Sequence, residues 1–257
     1  MFVACSTLCY ARLPFDQATR RIADLEFDRV ELVFGADTEH HELKPSWVAA
    51  HRDEALQVIR TTSAVTPSSF EIRFDSTDPD AQRQQFEALC WIAKAMMVGV
   101  VSIEPFAQGT AGLDAETRRA REFLAIASRY GVTLALTTSS ASCLADPTAA
   151  VNFCKSIPGI SLSLDPSHYI NGPFQSASFD EVFPYVQNCR LRDTTRKPGG
   201  FQVKIGQGEV EYTRVVTQLQ RFGYRRGLVV AIEDLAESDF PTEVEVRKLK
   251  LVLESLL

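Results

Sequence analysis

The stretch DAETRRAREFLAIASRYGVTLALTT, residues 114–138, is the one on which the fold reading turns. Over residues 114–130 apolar side chains recur at helical spacing among charged ones, and Gly131 follows as a residue that lets a chain leave a helix. Residues 132–136, VTLAL, are short, apolar and uncharged, which reads as a strand. A long amphipathic helix delivered through glycine into a short apolar strand is one step of a strand–helix alternation. The same step recurs on both sides.

Towards the amino terminus the pattern predicts strands over residues 2–8, 28–34, 62–67 and 98–104. Helices are predicted between them over 14–25, 46–59 and 78–97. Pro14 sits in a first helical turn, where its missing N–H does no harm, and Asp78-Pro79 is a helix start signal. Towards the carboxyl terminus Asp146-Pro147 opens another helix. Further strands are expected over 160–164, 189–192 and 228–232, with helices over 179–186, 212–222 and 241–257. Eight strands, each followed by a helix, imply parallel strands joined by helical crossovers. An open doubly wound sheet is the competing architecture. It ordinarily carries a glycine-rich first turn for a nucleotide, whereas Cys9-Tyr10-Ala11-Arg12 contains no glycine. A (β/α)8 barrel is therefore expected, as a single domain over residues 1–257 with no low-complexity linker.

Composition narrows the partners. Hydrophobic residues make up 45% and charged residues 23%, an ordinary globular balance. A net charge of -6 disfavours nucleic acid or an anionic membrane as a partner. MFVACSTLCY lacks the basic residues of a signal peptide, and the six cysteines form no CxxC or compact framework. A cytoplasmic protein with reduced thiols is expected.

In a parallel barrel the chemistry belongs at the carboxyl ends of the strands. The polar residues ending apolar runs are Glu31, Glu104, Thr137 with Thr138, Asp165 with His168, Arg190 with Asp193, and Glu233 with Asp234. Ser163-Leu164-Asp165-Pro166-Ser167-His168 resembles the LDxxH stretch of xylose-isomerase-like TIM barrels, the superfamily of sugar isomerases and epimerases. Arg190-Leu191-Arg192-Asp193, Arg196, Gly206-Gln207-Gly208 and Val230-Ala231-Ile232-Glu233 continue the resemblance in the same order. The overall rhythm fits the whole chain, while these motifs cover only its last hundred or so residues.

The resemblance implies proton transfer next to a carbonyl on a small polyol or sugar-like ligand. In the family two glutamates, an aspartate and a histidine hold one divalent cation that stabilises the enediolate. Carried over by position, Asp165 and Glu233 are the retained ligands and Glu233 the catalytic base. His168, Arg190, Arg196 and Asp165 would contact substrate, with Glu104 standing in from a neighbouring strand for a missing glutamate. The other two ligand positions hold Thr137 and Arg190. A guanidinium keeps its charge at any ordinary pH. About 4 Å from a dication, at an effective dielectric near 20, it repels by roughly 8 kcal/mol, about the whole free energy of micromolar binding. The expectation is therefore no metal cofactor, with Arg190 in the vacated position paired to Asp165 or Glu233.

Plainer readings exist for several of these groups. Asp165 also suits a helix N-cap. The Glu39-His40-His41-Glu42 cluster lacks HExxH spacing and reads as a solvated loop. Gly206-Gln207-Gly208 offers amides to a phosphate or is a plain turn. A binding protein that kept the pocket and lost catalysis is the alternative function; a metal-dependent nuclease is disfavoured by four histidines and an acidic charge.

Overall fold

The computed structural model describes residues 1–35, 39–107, 112–236 and 238–257, leaving out the side chain of His41. Eight parallel strands close into one barrel in sequence order: β1 Phe2–Ser6, β2 Arg29–Phe34, β3 Thr66–Ile72, β4 Val100–Ile103, β5 Thr133–Thr137, β6 Ser161–Leu164, β7 Val186–Leu191 and β8 Gly227–Val230. β8 pairs back onto β1, so neither edge is left open. Outside run α1 Phe15–Asp24, α2 Pro45–Ala50, α3 Arg52–Thr62, α4 Pro79–Ala95, α5 Leu113–Tyr130, α6 Pro147–Ser156, α7 Ser167–Ile170, α8 Tyr212–Arg221 and α9 Thr242–Glu254. Gly131 caps α5 at φ 69°, the left-handed conformation expected of it.

Strand alternation divides the buried residues between two compartments. Val30, Leu32, Phe34, Phe70, Ile72, Val101, Ile103, Leu134, Leu136, Leu162 and Leu164 belong to the apolar core between sheet and helices. The registers align Ser6 with Glu31, Glu31 with Ser69, Glu71 with Ser102, Ser102 with Ala135, Thr137 with Ser163, and Ser163 with Asn188. These residues form the second compartment, along the barrel axis. It is largely polar, and its small residues, Ser6, Ser69, Ser102, Ala135 and Ser163, leave room for the long Arg190 to lie between Glu31 and Glu71.

Several predicted elements shift. The helix expected over 179–186 is a 3-10 helix at Asp180–Tyr185 with Pro184 inside it, and the strand expected over 189–192 lies at Val186–Leu191. The strand expected over 62–67 lies at Thr66–Ile72, because Thr62 still belongs to α3 and the strand is carried by the alternating Phe70-Glu71-Ile72. The helix expected over 46–59 is two helices, broken at His51, whose ring stacks on Trp47 with centroids 5.4 Å apart. β1 stops at Ser6, where the hydroxyl accepts from the Leu8 amide and starts a short 3-10 turn.

Candidate functional site

At the carboxyl ends of the strands a cavity of about 510 Å³ is lined from six of them. Glu71 and Arg73 come from β3 and its end, Glu104 and Phe106 from β4, Thr137 and Ser139 from β5, and His168 from beyond β6. Arg190 lies on β7, Arg192 and Phe201 follow it, and Glu233 follows β8. A larger concavity, about 760 Å³, opens at the opposite end around Phe2, Phe27, Arg29 and Lys250. That is the end where barrels hold structure, and the converging carboxylates and guanidiniums all lie at the other.

Those groups form one unbroken chain of alternating charge. Arg190 Nε lies 3.1 Å from Glu31 Oε2, and its Nη1 pairs with Glu71 Oε2. Glu71 Oε1 accepts from Arg73 Nε at 2.9 Å, and Arg73 Nη2 reaches Glu233 Oε1 at 3.2 Å. Arg192 Nη1 is 3.5 Å from the same Glu233 oxygen, and its Nη2 is 3.1 Å from Asp165 Oδ2. Four carboxylates thus alternate with three guanidiniums, from the barrel interior to the mouth. The expected pairing of Arg190 with Asp165 or Glu233 is corrected here. Arg190 sits on β7 at the level of Glu31 and Glu71, and Arg192, on the same face two residues later, takes the higher position.

Protonation follows from this arrangement. Burial alone would raise Asp165, but Arg192, with help from His168, Arg190 and the Ser167 hydrogen bond, holds its carboxyl below the ordinary range. Burial works against Glu233 too, and Arg192, Arg73 and Arg190 again overcome it, keeping the carboxylate ionised. Glu71 is lowered in the same way by Arg190 and Arg73 against its burial. Glu31 goes the other way: burial, reinforced by neighbouring Glu71, raises it despite Arg190. Asn188 Nδ2 donates to Glu31 Oε1 at 2.9 Å and to Ser163 Oγ at 3.1 Å, closing the network from below.

Asp165 is fully buried and does not line the cavity, and the cap position of α7 is Pro166. Its Oδ1 accepts from the Ser167 amide at 3.0 Å and the Ser167 hydroxyl at 2.5 Å, at the start of α7, while Oδ2 faces Arg192. The Ser140 amide donates to His168 Nδ1 at 3.1 Å, so the neutral ring carries its proton on Nε2. Burial lowers the His168 pKa, with Asp165 opposing, which favours that neutral form. Glu104 lines the cavity and accepts from the Ser139 hydroxyl at 2.7 Å; among the described residues no cationic side chain pairs with its carboxylate. Thr137 Oγ1 is buried without a hydrogen-bond partner among the described residues.

Other candidates fall elsewhere. Arg196 pairs with Glu209 in a separate surface groove, because the loop after β7 carries it away from the barrel axis. Arg192 and Arg73 are the guanidiniums nearer the mouth. The amides of Gly206 and Gly208 donate to Asp193 Oδ2 at 2.8 and 2.9 Å, so this turn holds an internal carboxylate where a phosphate was one reading. His40 is buried edge-on to Phe15, with ring centroids 6.0 Å apart, and is not part of a solvated loop. The side chain of His41 lies outside the described residues.

Sequence reasoning missed Glu71, Arg73 and the role of Arg192. The alternation Phe70-Glu71-Ile72-Arg73-Phe74 carried the signal for the first two, but Pro67 drew the strand too early.

A divalent cation fits these residues poorly. The two retained ligand candidates, Asp165 and Glu233, each already face Arg192, and Glu233 faces Arg73 as well. Among the described residues, no three His, Cys, Asp or Glu side chains are grouped to hold a metal ion.

A closed parallel barrel with an ionic mouth at its strand ends defines the class. The chain belongs to the xylose isomerase-like TIM barrel family, whose model matches residues 19–254. A xylose isomerase domain protein from Alicyclobacillus acidocaldarius is similar at TM-score 0.77 and 12% identity, over 100% of this chain and 98% of that one. D-psicose 3-epimerase from Clostridium cellulolyticum, solved with D-tagatose, gives 0.71 and 14% over 100% and 99%. A xylose isomerase-like TIM barrel protein from Mycobacterium smegmatis, in complex with magnesium, gives 0.72 and 17% over 99% and 97%. At identities this low the likeness shows the fold alone. No curated protein matches the sequence. No helix among the described residues is long and apolar enough to cross a membrane.

Proposed function

We propose that the mouth takes a small, polyhydroxylated, sugar-like ligand and moves a proton at the carbon next to its carbonyl. The observation that carries this reading is the placement of Glu104 and Glu233. They follow β4 and β8, opposite strands of the closed ring, and line one cavity. A ligand between them has a carboxylate on each side. Structural relatives that include a 3-epimerase and a keto-glucoside 4-epimerase support the reaction class.

Within this proposal the two carboxylates are unequal. Glu233 is held ionised by Arg192 and Arg73, which weakens it as a proton acceptor. Glu104, hydrogen-bonded to a neutral hydroxyl, is the stronger candidate for the base. His168 supplies an Nε2–H donor, and Arg73 is the least buried of the three guanidiniums, so both suit a carbonyl oxygen on which negative charge develops.

The test is exchange of substrate C–H hydrogen with deuterated water across a panel of ketoses and keto-sugars, followed by mass spectrometry. Exchange that Glu104→Gln abolishes supports the assignment. Exchange unchanged in both Glu104→Gln and Glu233→Gln refutes the roles given to them. The second reading, a binding protein without catalysis, is favoured by the depressed Glu233 carboxyl. It predicts saturable sugar binding with no exchange.

A further inference from the structure

We infer that the Arg192 guanidinium, backed by Arg73 and Arg190, is a resident cation that stands where a divalent ion would otherwise bridge Asp165 and Glu233. This inference depends neither on the ligand nor on proton transfer.

Three observations carry it. First, Arg192 spans the pair, with one terminal nitrogen 3.1 Å from Asp165 Oδ2 and the other 3.5 Å from Glu233 Oε1. Its side chain is 2% exposed, so it is fixed between them and is not a surface group that happens to reach across. Second, the two further carboxylates that a cation here would also feel are already matched. Arg190 lies between Glu31 and Glu71, and Arg73 between Glu71 and Glu233. Third, each Asp165 oxygen already faces a partner. Oδ1 accepts hydrogen bonds from the Ser167 amide and hydroxyl, and Oδ2 faces the guanidinium through an ion pair alone. Phe201 closes the arrangement, its ring centroid 5.1 Å from the Arg192 guanidinium carbon, which suits a delocalised cation better than a hydrated metal ion.

The chemical consequence is a mouth whose positive charge is covalently attached. Chelators cannot remove it, and it cannot be exchanged for another ion. A divalent ion entering must displace a guanidinium or bind beside one; close approach at an intermediate dielectric weakens binding by about a million-fold.

The experiment is a Mn2+ titration of the purified full chain, followed by isothermal calorimetry and by thermal unfolding. The wild type should show no saturable site up to about 1 mM Mn2+, and treatment with EDTA should leave its Tm unchanged. One Mn2+ per chain bound at micromolar concentration, and lost in Asp165→Asn, overturns the inference. Arg192→Gln removes the stand-in and leaves two facing carboxylates. It should gain a Mn2+-dependent rise in Tm that is absent from the wild type and from Arg192→Gln with Asp165→Asn. A folded Arg192→Gln indifferent to Mn2+ also overturns it. If that variant does not fold, the wild-type titration decides the matter alone. Metal binding is the readout throughout, so failure here is distinct from failure of the exchange experiment above.

Discussion

Arg190 and Glu71 are in direct ionic contact inside the barrel, with side chains 3% and 5% exposed, where most such barrels place apolar groups. Glu31 holds the other edge of the same guanidinium. Burying one cation between two carboxylates costs desolvation on all three, and the mutual attraction is what offsets it. Removing the arginine alone leaves two anions buried near each other.

Arg190→Met should therefore destabilise the chain by about 3–5 kcal/mol in urea unfolding. Adding Glu31→Gln and Glu71→Gln should recover a substantial part of that loss, since the uncompensated charges are then gone. A single Arg190→Met change of under about 1 kcal/mol would mean the network contributes nothing to folding.

Arg196 provides the contrast. Its ion pair with Glu209 is 54% and 38% exposed, so water and salt screen it. Arg196→Ala should shift stability by less than about 1 kcal/mol. It should also leave sugar binding in the mouth unchanged, which a binding isotherm checks. A tenfold loss of affinity would return Arg196 to the site from which its position removes it.

The difference between these two arginines marks how far the sequence could be read. The alternation of apolar strands and amphipathic helices specified the barrel, because burial forces the periodicity. The ends of strands β4, β6, β7 and β8 were legible too, since a charged residue ending an apolar run has few other places to point. What could not be read was which charge meets which. Arg190 and Arg192 differ by one barrel layer, and Glu71 entered only once β3 had its observed register against β2. Ion pairing across a barrel is decided by strand stagger, which local sequence does not encode.

The turn at Gly206 to Gly208 should tolerate no side chain at its second glycine. A Cβ on Gly208 would lie 2.0 Å from Asp193 Oδ1 and 2.6 Å from the Thr194 carbonyl oxygen, both held in place by the turn itself. Gly208→Ala should cost about 2 kcal/mol or more. Hydrogen exchange should then show the amides of residues 206–210 losing protection. Full retention of both stability and protection would mean Asp193 does not organise this loop.

His40 makes stability depend on pH in a defined direction. Burial, opposed by hydrogen bonds to the Tyr10 and Leu13 backbone, lowers its pKa from the ordinary 6.5 to about 4. The unfolded chain therefore binds a proton between those values that the folded chain refuses, and stability rises with pH across that window. Its contribution is complete above the unfolded value; near pH 5 about 2 kcal/mol of it is lost. His168, also lowered by burial, adds a slope of the same sign. Urea unfolding of the wild type should show this decline from neutral pH towards pH 5, and His40→Asn should flatten it even if its stability at neutral pH is lower. By NMR the His40 ring should remain neutral down to about pH 5. A His40 resonance titrating near the ordinary value would show that the folded chain admits the proton, and the pH slope would then belong to other groups.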